Sequence, residues 1–372
     1  MQFIDLAAQQ ARIKSRLDAR IQAVLAHGKY IMGPEVRELE TALAAFCGAK
    51  HCISCANGTD ALLLALMAFG VRTGDAVFVP SFTFASTIEV VPCMGATAVL
   101  VDIDPDTFNM DPESLERAIA EAKNAGLRPA VVIPVDLFGL PANYPQIEPI
   151  ARENGMRVIA DSAQGFGGMI DGGMTGTFGD VTTTSFFPAK PLGCYGDGGA
   201  LFTDDDALAS LLDSMRVHGK GAEKYDNVRV GMNSRLDTLQ AAILLEKLAV
   251  YEDEIGVRQR TATAYQQHLG ASHKTPHVPE GYRSVWAQYT LTAPSAAARD
   301  AHMRHAKKAG VPTMIYYPKP LHGQTAYKNS VRDPAGLTHS EEAAKRVFSL
   351  PMHGYMTEAV IERVVDVLTT AA

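Results

Sequence analysis

Apolar residues in the first half of the chain fall into short, dense runs, separated by stretches in which they recur with helical spacing. Runs rich in β-formers stand at 77–79, 98–101, 130–135, 158–160 and 181–186. Between several of them lie helical stretches at 59–69, 112–125 and 144–154. Buried strands that alternate with helices predict a parallel sheet covered on both faces, with functional groups gathered at the carboxyl ends of the strands. Ahead of this region, 14–47 reads as helix, interrupted at Gly28 and restarting near Pro34, a residue suited to a first helical turn. A long helix is predicted over 235–255. Beyond it come a strand at 286–292, a helix at 296–308 and a second strand at 312–316, which together read as a compact α+β module.

The length of 372 residues suits two domains, and 47% hydrophobic with 20% charged residues is ordinary globular composition. A net charge of -7 argues against general affinity for nucleic acid or anionic membrane, so neither is expected as a partner. The first ten residues lack a basic stretch followed by an apolar run, and no apolar run approaches the ~18 residues of a membrane span. A cytoplasmic location is the resulting expectation. Cys52 and Cys55 form a CxxC pair, but no second pair or His-x-x-x-His stands nearby to complete a four-ligand site, so no metal is expected.

Several short segments carry chemistry. Lys190 follows an apolar strand and precedes Pro191, Gly193, Gly196, Gly198 and Gly199, a turn-rich setting in which a partly desolvated amine can act as a nucleophile. Alone, it reads first as a solvated lysine at a strand end, as most lysines are. Asp161 follows the run at 158–160 and is placed to hold a protonated pyridine nitrogen or simply to form a turn. Asn57-Gly58-Thr59 opens an apolar helix and offers free N–H groups and a hydroxyl to a phosphate, or a plain N-cap. Phe82 and Phe84 lie in an aromatic-rich segment after another strand, where a ring can stack on a planar cofactor. Asn233 and Arg235 sit where a polar loop, 218–229, leads into the long helix; both are candidates for anion binding, and Asn233 reads equally as a helix cap.

Taken in order, Gly58-Thr59, Phe84, Asp161-x-Ala-Gln164, Ser185-Phe-Phe-Pro-x-Lys190, Gly196-Asp-Gly-Gly199 and Gly231-x-Asn233-x-Arg235-Leu-Asp237 resemble the DegT/DnrJ/StrS family of nucleotide-sugar aminotransferases dependent on pyridoxal 5'-phosphate (PLP). The resemblance runs from the segment beginning at Phe3 to the one ending at Met352. It implies an α/β chain of PLP-dependent transferase fold type I, like aspartate aminotransferase. Residues 1–250 would form a large domain around a mixed, mainly parallel seven-stranded sheet, and 251–372 a small C-terminal α+β domain. It also implies a homodimer with active sites at the interface. By the same resemblance, Lys190 is the Schiff-base lysine and proton shuttle, Asp161 pairs with the pyridine nitrogen, and Gln164 lies near the ring. Phe84 stacks on the ring, Gly58, Thr59 and Ser185 hold the phosphate, and Asn233 reaches it from the partner subunit.

Within the family the longest matching runs, around Cys52–Asp60, 185–200 and 233–244, are similar to enzymes acting on UDP-2-acetamido-2-deoxy-3-oxo-glucuronate for bacterial polysaccharide or O-antigen synthesis. L-glutamate is the implied donor, C3 the implied acceptor carbon, and Arg235, Tyr316 and Tyr317 the implied substrate contacts. Two alternatives stand beside it: a dTDP- or UDP-linked 3- or 4-keto-6-deoxy sugar as acceptor, and a non-catalytic PLP-binding regulator. The presence of Lys190 favours transamination over the dehydrating branch, in which histidine replaces that lysine.

Overall fold

The protein is described as a computed structural model covering residues 1–223 and 225–370. Two helices, α1 (Leu6–His27) and α2 (Pro34–Cys47), come first, the former stopped by Gly28 in the left-handed conformation at φ 68°. The break and restart fall where the sequence places them. There follow β1 (His51–Cys55), α3 (Gly58–Ala68), β2 (Asp75–Pro80), α4 (Ser86–Cys93), β3 (Thr97–Val101), α5 (Pro112–Asn124) and β4 (Arg128–Val132). Next are α6 (Tyr144–Glu153), β5 (Arg157–Asp161), a small hairpin of β6 (Met169–Ile170) and β7 (Gly173–Met174), β8 (Val181–Ser185), β9 (Gly199–Thr203) and α7 (Asp206–Met215). The remainder holds α8 (Thr238–Leu269), β10 (Tyr282–Arg283), β11 (Tyr289–Thr292), α9 (Ala296–Lys308), β12 (Val331–Arg332), α10 (Thr338–Arg346), β13 (Val347–Leu350) and α11 (Glu358–Thr369).

The main sheet has the order β1-β9-β8-β5-β4-β2-β3-β12. Every neighbouring pair is parallel except those made by β9, which runs against both β1 and β8. Seven strands come from the first 203 residues, and the eighth, β12, is a two-residue edge. Alternation along the strands sorts their side chains by face. Val77 and Val79 of β2 join a core with α3, α4 and α7, while Ala76 and Phe78 join another with α5 and α6. A separate cluster unites Ala262, Tyr265 and Leu269 of α8 with β11, β13, α9 and α11.

Three sequence expectations change. The long helix begins at Thr238 rather than 235 and runs unbroken to Leu269, because its last turns bury apolar residues in that second cluster. The strand expected at 312–316 does not form; Met314 makes only an isolated bridge to Ser349. The strand expected at 286–292 is confined to Tyr289–Thr292. Cys52 and Cys55, three apart on β1, point to opposite faces and cannot share a ligand; no metal cluster occurs among the described residues. Nor, among the described residues, is any helix long and apolar enough to cross a membrane.

Candidate active site

A cavity of about 660 Å³ opens at the carboxyl ends of the parallel strands. Of the residues singled out in the sequence, Gly58, Thr59, Phe84, Asp161, Gln164, Ser185, Lys190, Tyr316 and Tyr317 line it. Asn233 and Arg235 do not: Asn233 is exposed and Arg235 half-buried, and both stand outside this chain's own cavity.

One end is formed by the start of α3. The Asn57 side chain accepts from Asp60 N–H at 2.8 Å, and Ala61 N–H bonds to Asn57 O. The N–H groups of Gly58 and Thr59 therefore remain for an anion, reinforced by the positive end of the helix. Ser185, last residue of β8, packs so tightly on this turn that a Cβ at Gly58 would lie 2.7 Å from its Cβ. Its hydroxyl oxygen accepts from Phe187 N–H at 3.3 Å, leaving the O–H free to donate.

Asp161 ends β5 deep in the cavity wall and is 3% exposed. Its carboxylate accepts from Thr87 Oγ1 at 3.0 Å and from Ala163 N–H at 3.2 Å. Burial pushes its pKa up, and the Ala163 N–H, the charge of Lys190 and the Thr87 hydroxyl pull it back only partly. The amine of Lys190 is displaced the other way: desolvation lowers its pKa, while the Asp161 charge opposes. The two groups are thus within electrostatic reach across one cavity. Gln164 accepts from Phe138 N–H at 3.0 Å and donates to the Tyr317 hydroxyl at 3.2 Å. Phe84 and Tyr317 form an aromatic wall with ring centroids 6.3 Å apart, and burial keeps the Tyr317 hydroxyl protonated.

The structure adds residues that sequence reasoning missed. Thr87, three residues beyond Phe84 in the first turn of α4, positions Asp161. Asp136 is fully buried and accepts from Tyr144 Oη at 2.7 Å, Ala142 N–H at 2.9 Å and Ser162 Oγ. Burial raises its pKa to about 7. Ile4 and Gln288 also line the cavity, and the Gln288 Oε1 has no hydrogen-bond partner among the described residues. Ile4 falls in the segment beginning at Phe3 and Gln288 in the strand expected at 286–292, but neither segment marks these residues for the site.

An anion seat, a buried carboxylate, a half-buried amine and an aromatic wall in one cavity match the donor set of pyridoxal phosphate. The profile of the DegT/DnrJ/EryC1/StrS aminotransferase family matches residues 11–369. The chain belongs to that family. Among its relatives is the UDP-2-acetamido-2-deoxy-3-oxo-D-glucuronate aminotransferase of Pseudomonas aeruginosa, 49% identical over 370 residues and covering 99% of both chains. A DegT DnrJ EryC1 StrS aminotransferase from Brucella abortus superposes with a TM-score of 0.97 at 53% identity, covering 100% of this chain and 99% of that one. NtdA of Bacillus subtilis, solved with bound cofactor PMP, superposes with a TM-score of 0.87 at 28% identity, covering 99% of this chain and 83% of that one. The fold is that of the family's sugar aminotransferases, with the mainly parallel sheet that the resemblance implied.

Proposed function

We propose that the protein is a PLP-dependent nucleotide-sugar aminotransferase that places an amino group on C3 of UDP-2-acetamido-2-deoxy-3-oxo-glucuronate, supplying an amino sugar for bacterial polysaccharide. The observation that carries the chemistry is the convergence of Lys190, Asp161 and the start of α3 on one cavity. The substrate rests on the Pseudomonas aeruginosa relative, so named and 49% identical over the whole chain.

PLP, when bound, supplies an aldehyde for amines and an electron-withdrawing ring that makes a neighbouring proton removable. The residues to hold it are Gly58, Thr59 and Ser185 for the phosphate, Asp161 for the ring nitrogen, Phe84 for the ring face and Lys190 for the aldehyde, with Gln164 at the ring's edge. Because desolvation lowers the Lys190 pKa, more of it is free amine near neutral pH, able to take a proton from one carbon and return it to another. Asp161, anchored by Thr87 and Ala163, holds the opposite charge in place. We assign L-glutamate as donor and a homodimer as the working unit, in which Asn233 and Arg235, outside their own cavity, serve the partner's phosphate and sugar sites. Arg235, Tyr316 and Tyr317 are the proposed sugar contacts, the guanidinium taking the glucuronate carboxylate. Residues 1–250 are the proposed cofactor domain and 251–372 the smaller one, with α8 shared between them.

The test is turnover with glutamate, comparing UDP-2-acetamido-2-deoxy-3-oxo-glucuronate with dTDP- and UDP-linked 3- and 4-keto-6-deoxy sugars. Amination of the glucuronate in preference is expected; turnover of a 6-deoxy sugar alone would move the assignment to that class. A visible absorption band that does not change with glutamate would remove transamination altogether.

A further inference from the structure

Helix α8 passes beneath the loop that joins Lys190 to β9, and two of its side chains reach into that loop. Gln240 accepts from the Tyr195 N–H at 2.9 Å, and its amide nitrogen contacts Tyr195 O at 3.4 Å. Two turns further on, Lys247 Nζ donates to Gly193 O at 2.5 Å and lies 4.3 Å from the centroid of the Tyr195 ring. Lys247 is only 1% exposed, and the buried alternative for a lysine is costly unless hydrogen bonds and charge offset it. A carbonyl dipole and a tyrosine face are what the site offers. The titratable groups acting on it are the Cys194 thiol of the loop and Glu254 of its own helix; burial dominates and brings its pKa down to about 8.

The carbonyl that Lys247 holds is mechanically tied to Lys190. A Cβ at Gly193 would lie 2.5 Å from Phe187 O and 2.6 Å from Pro188 O, so the two limbs of the loop are pressed together there. Cys194 N–H donates to Phe186 O at 2.7 Å, and Lys190 N–H to Phe187 O at 2.8 Å. A shift of Gly193 is therefore passed to the backbone that carries Lys190.

We propose that Lys247 is a positioning residue: by clamping Gly193 O against the Tyr195 ring, it fixes the loop that sets where the Lys190 amine stands, and cofactor capture by Lys190 depends on it. The inference rests on the proposed PLP reading, and the experiment separates the two. Cofactor-free protein is titrated with PLP, followed by its visible band, and the product is reduced with borohydride and mapped by mass. In the unaltered chain the adduct is expected at Lys190; its absence there would overturn the PLP reading, and this proposal with it. Lys247→Met keeps most of the side chain's apolar length but cannot donate. It is expected to bind PLP about tenfold more weakly and to shift the pH midpoint of the band, with Lys247→Arg restoring much of both. Val364→Ala, in the distant C-terminal cluster, supplies a loss of thermal stability without touching the loop. Wild-type affinity and band titration in Lys247→Met, or an equal affinity loss in Val364→Ala at matched stability, would overturn the clamp. Should Lys247→Met not fold, Lys247→Leu, which likewise cannot donate, takes its place under the same two outcomes, a weaker cofactor grip supporting the clamp and an unchanged one refuting it.

Discussion

Lys190 and Asp161 are displaced in opposite directions by the same cause, desolvation, and each partly restores the other. The downward shift on Lys190 moves the amine toward the free-base form that can take a proton. Lys190→Ala is expected to lower turnover by about 10³-fold and to abolish the borohydride-trapped adduct, with thermal melting little changed. Thr87→Val removes a hydroxyl donor to Asp161, a hydrogen bond to a charged group being worth about 1.5–3 kcal/mol. Asp161 then holds its proton to higher pH, so the acid limb of PLP binding should move upward, read from the visible band across a pH series. An unmoved limb would mean that Thr87 has no hold on that carboxyl.

Among the elements, α3 shows packing overruling propensity. Alanine at position 58 would favour the helix by up to about 1 kcal/mol relative to glycine. Its Cβ, however, would meet Ser185 Cβ at 2.7 Å, and relief of such overpacking costs about 1–3 kcal/mol and separates the two halves of the anion seat. Gly58→Ala should therefore weaken PLP binding, measured by titration, and inorganic phosphate should compete less well for the same site. Helix α8 illustrates a second point about elements. It lies below the Lys190 loop at one end and contributes Ala262, Tyr265 and Leu269 to the C-terminal core at the other, so one continuous helix serves both cores.

For the molecule as a whole, buried histidines set an acid limit. His353 is 6% exposed and its pKa is lowered by burial from 6.5 to about 4. His273 and His302, with ring centroids 4.9 Å apart, are lowered as well. All three bind protons less readily folded than unfolded. The contribution of His353 is thus complete above the unfolded value near 6.5 and is lost as pH falls toward about 4, and those of His273 and His302 are lost in the same direction. The melting temperature should decline over that window, and His353→Asn should make the decline shallower. An equally steep decline in the variant would place the acid sensitivity elsewhere. At the same scale, the proposed dimer predicts that Asn233→Ala, exposed on its own chain, weakens PLP binding in the assembled protein. Sedimentation, with the titration, checks that prediction.

The sequence by itself determined the strand–helix alternation, the break at Gly28 and the span of α9. Those properties follow from local periods and from turn and cap chemistry, which short segments carry intact. It also marked Lys190, although nothing local distinguished that lysine from a solvated one until the other motifs stood beside it. Only the tertiary structure decided that β9 runs against its neighbours, that 312–316 forms no strand, and that α8 continues to Leu269. It alone brought Thr87 to Asp161, and Ile4 and Gln288 to the cavity, from segments far apart in the chain. The physical reason is common to all of these: strand pairing, helix extension and cavity lining depend on partners distant in sequence, and no local pattern encodes who those partners are.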